Sequence, residues 1–159
     1  MEFIIRPLWE SEREWAIALL RGRWGSAEIV TRGKIHQADA LPGLVAECEG
    51  ERYGLLTYNI ESEECELVSL DSLVAGQGVA SALLKAVQSE ARQAGCKRLG
   101  LITTNDNTDA IDFYLRRGFS LAAVHRGAVN HSRRQKPEIP SHNADGIAIE
   151  DEWEFEYKL

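Results

Sequence analysis

The stretch that decides the fold is "LVAGQGVASALLKAVQSEARQAGCKRLGLITT", residues 73–104. Gly76 and Gly78 come directly before apolar residues that recur at helical intervals, and Gly95 stands where a capping glycine would end that helix. The apolar run 98–104 then has the pattern of a strand, and another strand-like run precedes the glycines. The order strand, glycine turn, helix, strand predicts a βαβ unit with parallel strands and a right-handed crossover.

The rest of the chain extends this pattern in both directions. Three strand-like runs fill residues 43–73, and Glu49-Gly50-Glu51 makes the hairpin turn between the first two. Strands are also predicted at Phe3–Arg6, 119–125 and in "EWEFEYK" (152–158), which places Trp153, Phe155 and Tyr157 on one face and three glutamates on the other. Helices are predicted at 10–21, 79–94 and 108–117. The weak periodicity of 23–40 predicts a loop with some helix, and 126–146 is predicted as a long loop.

Composition restricts the class of protein. The chain has 159 residues, the length of one domain, and a formal net charge of −7, which argues against a nucleic-acid-binding surface. No apolar run has the length of a membrane span, and the first residues lack the pattern of a signal peptide. Cys48, Cys65 and Cys96 are widely spaced, which predicts neither a disulfide framework nor a metal site and fits the reducing cytoplasm.

The glycine turn alone leaves its ligand open. A nucleotide triphosphatase loop needs a lysine directly after the second glycine, and none occurs before Lys85. A dinucleotide-binding turn needs a third glycine where this chain has Ser81. The pyrophosphate of coenzyme A, held by backbone N–H groups at a helix N-terminus, is a third reading. A tight turn without a ligand is the fourth.

Two motifs together resemble the GNAT family of acetyl-CoA-dependent N-acetyltransferases. The pattern N-x-x-A-x-x-[FL]-Y-x-x-x-G-F is complete in "NDNTDAIDFYLRRGF", residues 105–119, and the earlier [QR]-x-x-G-x-[GA] turn matches at Gly78 and Ala80. The turn departs from the family at Ala75, where a Gln or Arg usually reaches the pyrophosphate. The tail resembles a subgroup of uncharacterised bacterial members. The resemblance implies one α/β (α+β) domain over 1–159, with a mixed sheet of six to seven strands, two of them splayed and parallel, and about four helices.

The resemblance also implies the chemistry. An acetyl group would pass from acetyl-CoA to a primary amine by direct attack in a ternary complex, with a small-molecule acceptor. An acyl-CoA sensor without activity and a protein or peptide N-acetyltransferase are the alternatives. Glu66, at the start of "ELVSL", matches the family's base, and Glu64 is the second candidate. Tyr114 matches the tyrosine that protonates the coenzyme thiolate. For Glu66 a solvated acid and for Tyr114 a core tyrosine remain the plain alternatives.

Coenzyme binding is expected to be spread over three segments. The pantetheine arm would pair with main-chain groups of residues 70–73, the backbone of the glycine turn would hold the pyrophosphate, and Asn107 would contact the pantetheine or cap a helix. The expected cofactor-binding residues are Leu70, Asp71, Ser72, Leu73, Gly76, Gln77, Gly78, Val79, Ala80, Ser81, Asn107, Ala110, Phe113 and Tyr114. Cys65 is expected to be a packed thiol, because strand alternation points it away from the face of Glu66.

Basic residues gather in one segment of this acidic chain. Residues 125–137 contain His125, Arg126, His131 and further cations, which could contact the coenzyme 3′-phosphate or an acidic acceptor, or lie in a solvated or oligomer-contacting loop. His36 is either a structural histidine or part of the acceptor site. Whether two chains form a homodimer around the acidic last strand stays open.

Overall fold

A computed structural model describes all 159 residues. The fold is of the α+β class, as predicted, with a mixed main sheet of seven strands, a separate two-stranded hairpin and four α helices. The strands are β1 (Ile4–Pro7), β2 (Glu28–Thr31), β3 (Lys34–Gln37), β4 (Gly43–Cys48), β5 (Glu51–Glu61), β6 (Glu64–Ser72), β7 (Arg98–Thr104), β8 (Ser120–His125) and β9 (Glu152–Lys158). The helices are α1 (Arg13–Trp24), α2 (Val79–Gln93), α3 (Thr108–Arg116) and α4 (Ala128–Gln135).

The chain divides into two compact units. Unit 1 contains residues 1–29, 36–99 and 159, and unit 2 contains residues 30–35 and 100–158. The organisation as a single domain stays a prediction. No helix is long and apolar enough to cross a membrane.

Unit 1 is built on an antiparallel sheet in which β1, β4, β5 and β6 are neighbours in that order. The hairpin turn between β4 and β5 lies where it was predicted, with Glu49 and Gly50 both at positive φ. The core on one side of this sheet contains buried apolar side chains of α1 and of the strands, among them Leu20, Val45 and Leu55. Burial of these side chains stabilises the unit by removing apolar surface from water.

Helix α2 follows its apolar stripe closely. Its buried residues are Val79, Leu83, Leu84, Val87 and Ala91, which recur at the spacing of one helix face. The helix approaches β5 at Gly54, where an added Cβ would lie 2.5 Å from Val79 Cγ1. Glycine at this position therefore allows the helix to lie close to the strand that pairs with β6.

Strand β6 is distorted in the middle by a β-bulge. Thr57 of β5 faces Ser69, and the next residue, Tyr58, faces Leu67, so Val68 has no partner of its own. A bulge bends the strand and changes the direction of the side chains that follow. The bulge separates the first part of β6, which carries Glu66, from the part that leads into the glycine turn.

Unit 2 contains most of β7, together with β8, β9, α3 and α4. Strands β8 and β9 pair antiparallel, with Ser120 facing Glu156 and His125 facing Glu152. An aromatic cluster packs beside them: the ring of Phe119 lies 5.4 Å from Tyr114 and 5.4 Å from Tyr157. The first contact is edge-on and the second is tilted, and together they hold α3 against the two strands.

Two segments predicted as loops contain regular structure. Residues 28–37 form the β2–β3 hairpin, whose turn places Arg32 and Gly33 at φ of +51° and +77°. Two successive residues at positive φ match the right-handed twist of paired strands. Within 126–146, residues 128–135 form α4. Both predictions were wrong because strands of four residues and a helix of two turns bury too few side chains to show periodicity.

The glutamate face of β9 is more buried than the alternating sequence of the strand suggests. Phe155 is buried as predicted, but Glu152 on the other face is only 3% exposed. Its carboxylate accepts hydrogen bonds from the backbone N–H of Arg32 at 2.8 Å and from Ser132 Oγ at 3.2 Å. A buried carboxylate with such donors is satisfied. Glu152 therefore ties the hairpin turn and α4 to the last strand.

The carboxylate of Glu12 is the most strongly paired acid in unit 1. Arg6 donates to both of its oxygens, at 2.7 and 3.0 Å, and Arg52 and the Trp9 N–H donate to it as well. The hydrogen bonds from Arg6 lower the pKa of Glu12 to about 2, against the burial of the side chain, which raises it. The charged form is therefore stabilised by folding.

Glu12→Gln is expected to reduce the free energy of unfolding near neutral pH by about 3 kcal/mol, the equivalent of this pKa shift. Because the folded pKa lies below the unfolded one, this contribution is present above the unfolded pKa and fades as pH falls towards the folded pKa of about 2. Urea unfolding of both proteins from neutral to acid pH measures it. The control is Glu10→Gln, since Glu10 is exposed and pairs only with Arg13, at 3.4 Å. An equal decrease in the free energy of unfolding for the two variants, or a difference between them that does not change with pH, would contradict the expectation.

Candidate active site

The glycine turn leaves backbone donors open at the start of α2. Gly76 and Gly78 are left-handed, with φ of +70° and +75°, and Gly78 is the N-cap residue. The first helical hydrogen bond runs from Ala82 N to Gly78 O, so the amides of Val79 and Ala80 have no acceptor within the helix. A Cβ added at either glycine would meet nothing within 4 Å. The turn thus offers an anion open space and amide donors at the positive end of a helix.

In the part of β6 before the glycine turn, the main-chain N–H and C=O groups alternate between pointing to β5 and pointing away from it. Leu73 N donates to Tyr53 O at 2.8 Å, and in an antiparallel pair the bonded positions alternate. Asp71 and Leu73 therefore direct their main-chain groups to β5, whereas Leu70 and Ser72 direct theirs away from it. Of the four residues expected to bind pantetheine through main chain, these two have the suitable orientation, and Ser72 O also accepts from Arg23 at 3.2 Å.

The side chain of Asp71 lies on the inside of unit 1. It is 7% exposed and accepts a hydrogen bond of 3.0 Å from Trp24 Nε1 at the end of α1. Burial raises the pKa of the Asp71 carboxyl, and the bond from Trp24 acts in the opposite direction. The contact fixes the end of α1 against the strand that leads into the turn.

Glu66 is paired with a buried histidine. His36 Nε2 lies 2.8 Å from Glu66 Oε2, and the His36 side chain is 3% exposed against 31% for Glu66. A carboxylate oxygen at this distance is an acceptor for an N–H on Nε2, which fixes that nitrogen as the donor. The imidazole thus holds one carboxylate oxygen inside the protein, while the side chain of Glu66 remains partly accessible.

Glu64, the second candidate base, has different surroundings. Its side chain is 66% exposed, and its Oε1 lies 3.8 Å from Arg98 Nη1. An exposed pair at this distance fixes a side chain only weakly. Of the two glutamates, Glu66 is the one whose carboxylate is oriented by a buried partner.

Cys65, between these two glutamates, is 1% exposed. Burial, together with the charges of Cys96 and Glu66, raises the pKa of the Cys65 thiol to about 12. The thiolate is the nucleophilic form of cysteine, and at neutral pH a thiol with this pKa is almost wholly protonated. An acetyl-cysteine intermediate at Cys65 therefore has no support from the site.

Cys65→Ala is expected to change kcat for acetyl transfer by less than about twofold, which corresponds to about 0.4 kcal/mol. The measurement is initial velocity with both substrates varied, in which direct transfer gives intersecting rather than parallel lines. Cys96→Ala is the control, because Cys96 is also a buried free thiol. Parallel lines for the unchanged protein together with an inactive Cys65→Ala variant would establish the covalent route instead.

In unit 2, the residues of the second motif lie at the start and along the length of α3. Asn107 is the N-cap: its Oδ1 accepts from Ala110 N at 3.4 Å, and its Nδ2 donates to Thr103 Oγ1 at 3.2 Å. Tyr114 is 7% exposed, and its ring contacts Phe113 at 5.1 Å and Phe119 at 5.4 Å. The capping interpretation of Asn107 and the core packing of Tyr114 are therefore present, and neither excludes a role towards a ligand.

Two contacts of the site were missed from the sequence. In the sequence His36 has no evident partner. Its contact with Glu66 joins residues thirty positions apart and depends on the β2–β3 hairpin, which was not predicted. The signal was available in "TRGK", a two-residue turn between alternating runs. The contact of Trp24 with Asp71 left no local signal, because it links a helix end to a strand 47 residues later.

The fold is that of an α+β acetyltransferase, in which a helix begins at an open glycine turn. The sequence profile of the Acetyltransferase (GNAT) family matches residues 8–119, and the chain belongs to that family. This confirms the resemblance of the two motifs. The uncharacterized protein YdhI of Bacillus subtilis strain 168 is 43% identical over 150 residues, which cover 94% of this chain and 94% of YdhI.

Solved structures show the same fold at low identity. An acetyltransferase of Bacillus subtilis in complex with CoA superposes with a TM-score of 0.73 and 15% identity, covering 99% of each chain. A GNAT family acetyltransferase of Elizabethkingia anophelis with acetyl-CoA bound gives a TM-score of 0.73 and 17% identity, covering 99% of this chain and 98% of that one. Structural neighbours of the chain therefore bind CoA or acetyl-CoA.

Proposed function

We propose that the chain is an acetyl-CoA-dependent N-acetyltransferase that moves the acetyl group to a primary amine by direct attack, with a small molecule as the acceptor. The observation that carries the proposal is the Glu66–His36 pair, in which Glu66 belongs to the strand that leads into the glycine turn. The pair supplies an oriented proton acceptor, and the turn supplies an anion cradle. Membership of the GNAT family and the coenzyme complexes of its structural neighbours support this combination.

In this proposal the coenzyme lies along the second half of β6. The pyrophosphate accepts hydrogen bonds from the amides that begin α2, and the pantetheine amides pair with Leu70 and Ser72. Glu66 precedes Ser72 by six residues, a distance of about 20 Å along an extended strand, somewhat less across the bulge. This length leaves room for an extended pantetheine arm between the turn and the carboxylate. Asn107, Ala110 and Phe113 of the second family motif are further proposed coenzyme contacts.

Proton transfer determines the order of the reaction. A primary ammonium has a pKa near 10.4 and must lose a proton before its nitrogen can attack. Glu66 takes that proton, directly or through water, and the free amine attacks the thioester carbonyl carbon. The tetrahedral oxyanion then collapses, the carbon–sulfur bond breaks, and the nitrogen gives its second proton to water, while Glu66 releases the first proton to solvent. Tyr114 donates its phenolic proton to the leaving thiolate and is reprotonated from solvent, so the products are the acetamide and CoA.

His36 acts through Glu66 in this scheme and is a positioning residue. By donating to Glu66 Oε2 at 2.8 Å, His36 holds the carboxylate in one orientation. His36→Gln is expected to lower kcat, and the double variant with Glu66→Gln is expected to be no slower than Glu66→Gln alone, because the two residues act as one unit. Additive losses would show that His36 contributes to folding rather than to the base.

The experiment that tests the proposed function has two stages. Calorimetry measures binding of acetyl-CoA, and a thiol-release assay then follows turnover with small primary amines and with peptides that have a free N-terminus. Acetyl-CoA binding with turnover of small amines supports the proposal. Turnover of peptides alone would assign a protein acetyltransferase, and binding without turnover would assign a sensor. Failure to bind acetyl-CoA would overturn both the enzyme and the sensor.

Gly76→Ala is expected to weaken acetyl-CoA binding by about tenfold, because its Cβ would enter the space where the pyrophosphate lies; tenfold corresponds to 1.4 kcal/mol. The matched control is Gly25→Ala at the end of α1. Both glycines have positive φ, +70° and +78°, and a Cβ at either meets nothing within 4 Å. Backbone strain is therefore similar in the two variants. Equal loss of affinity in both would mean that the turn does not contact the coenzyme.

A further inference from the structure

Unit 2 contains a pocket that the proposed function does not use. Its volume is about 300 Å³, and it lies between the turn of the β2–β3 hairpin, the end of β8 and the start of α4. We call it the cationic pocket; its lining residues are Arg32, Gly33, His125, Arg126, Gly127, Ala128 and His131. Four of these seven have basic side chains and none is acidic, in a protein whose net charge is −7.

Acidic side chains beside the pocket are already engaged. Glu154 accepts from His125 Nε2 at 2.9 Å and lies 3.4 Å from Arg32 Nη1. Asp151 accepts from the Gly127 N–H at 2.9 Å, and Glu152 accepts from the Arg32 N–H at 2.8 Å. None of these acids lines the pocket, and each of them bonds to a residue that does.

Arg126 and His131 differ from the other two basic side chains. Neither takes part in an ion pair or a side-chain hydrogen bond, and both side chains belong to exposed residues at the pocket. A cationic guanidinium presents a planar set of donors that matches the oxygens of a carboxylate or a phosphate. The imidazole of His131, which also lines the pocket, adds N–H donor capacity.

The backbone adds to the attraction for an anion. Helix α4 begins after Gly127, which is left-handed at φ +70° and has no side chain of its own to cap the first turn. The positive end of the helix dipole therefore lies at the pocket, in addition to the charged side chains. The hairpin turn closes against His131: a Cβ at Gly33 would lie 3.3 Å from the imidazole ring.

We propose that the cationic pocket binds an oxyanion, a carboxylate or a phosphate group, with Arg126 and His131 as the side chains that contact it. Two ligands could carry such a group: an acidic acceptor and the 3′-phosphate of the coenzyme. The chemistry recognised by the pocket is the same for both. The proposal does not depend on acetyl transfer, so it can be tested without turnover.

In the test, inorganic phosphate is titrated into the full chain at constant pH and ionic strength. NMR records the amide chemical shifts at each phosphate concentration. Saturable shifts at Gly33, Gly127 and Ala128 are expected, and Arg126→Gln and His131→Gln should each weaken the phosphate affinity, Arg126→Gln by about tenfold. The matched control is Arg134→Gln on the same helix, since Arg134 is exposed and does not line the pocket. It should leave the affinity unchanged.

Titration with different anions shows whether the bound oxyanion belongs to the coenzyme or to an acidic acceptor. If CoA shifts these amides and dephospho-CoA does not, the ligand is the 3′-phosphate. If neither shifts them and succinate competes with phosphate, the ligand is an acidic acceptor. Both results support an oxyanion site. Equal shifts with chloride at the same ionic strength, or the same phosphate affinity in the Arg126→Gln variant and the unchanged protein, would overturn it.

Discussion

Glu66→Gln is expected to lower kcat for acetyl transfer by about 10²–10⁴-fold while leaving the Kd for acetyl-CoA unchanged, because the variant loses a proton acceptor but keeps the shape of the side chain. Stopped-time assays of thiol release and calorimetry measure the two quantities. The pH profile gives a second readout. Without its base, the variant depends on amine that is already unprotonated, so its rate should rise about tenfold per pH unit towards the pKa of the amine.

The matched control for this variant is Glu64→Gln. Both substitutions remove one negative charge from β6, two residues apart, but only Glu66 contacts His36. Glu64→Gln should keep kcat within about twofold, equivalent to about 0.4 kcal/mol. If Glu64→Gln is the slower of the two, the assignment of the base is wrong. If both variants have normal activity and normal pH profiles, no glutamate of β6 takes the proton.

Tyr114→Phe is expected to lower kcat by about 10²-fold, the lower end of the range for a proton-transfer group. Proton donation is needed when the carbon–sulfur bond breaks, because that step releases the coenzyme sulfur as a thiolate. The ring contacts with Phe113 and Phe119 are retained in phenylalanine.

Tyr157→Phe is the control for the loss of a hydroxyl from the same aromatic cluster. Tyr157 packs against Phe119 at 5.4 Å, the same centroid distance as Tyr114. A comparison of kcat and melting temperature for the two variants separates catalysis from packing. If Tyr114→Phe has normal kcat and both variants melt at the same temperature, Tyr114 is a core residue only.

Sequence alone was sufficient where the fold depends on local pattern. The glycine turn, α2 and β7 were predicted within a residue or two, because a long apolar stripe with a glycine at each end leaves few alternatives. It failed for the β2–β3 hairpin and for α4. Helix α4 buries only Val129 and Ser132, so its sequence has the polarity of a loop. Its position is fixed by Ser132, which bonds to Glu152 on β9 twenty residues later.

The candidate site shows the same division. The motif residues of the turn and of α3 could be identified because family members keep them at fixed spacing. The family pattern at "ELVSL" ranked Glu66 ahead of Glu64, but strand alternation did not separate them, since the two lie two residues apart on one strand. The distinction comes from His36, which reaches β6 through an unpredicted hairpin. Contacts between distant segments depend on the assembled fold, and a single sequence does not display them.

The β2–β3 hairpin has a consequence for how this protein could diversify. Within ten residues it carries His36, which orients Glu66, and Arg32 and Gly33, which line the cationic pocket. The glycine turn is encoded some forty residues later and shares none of these positions. One short replacement in the gene would therefore alter the partner of Glu66 and the cationic pocket together, and it would leave the residues of the glycine turn unchanged.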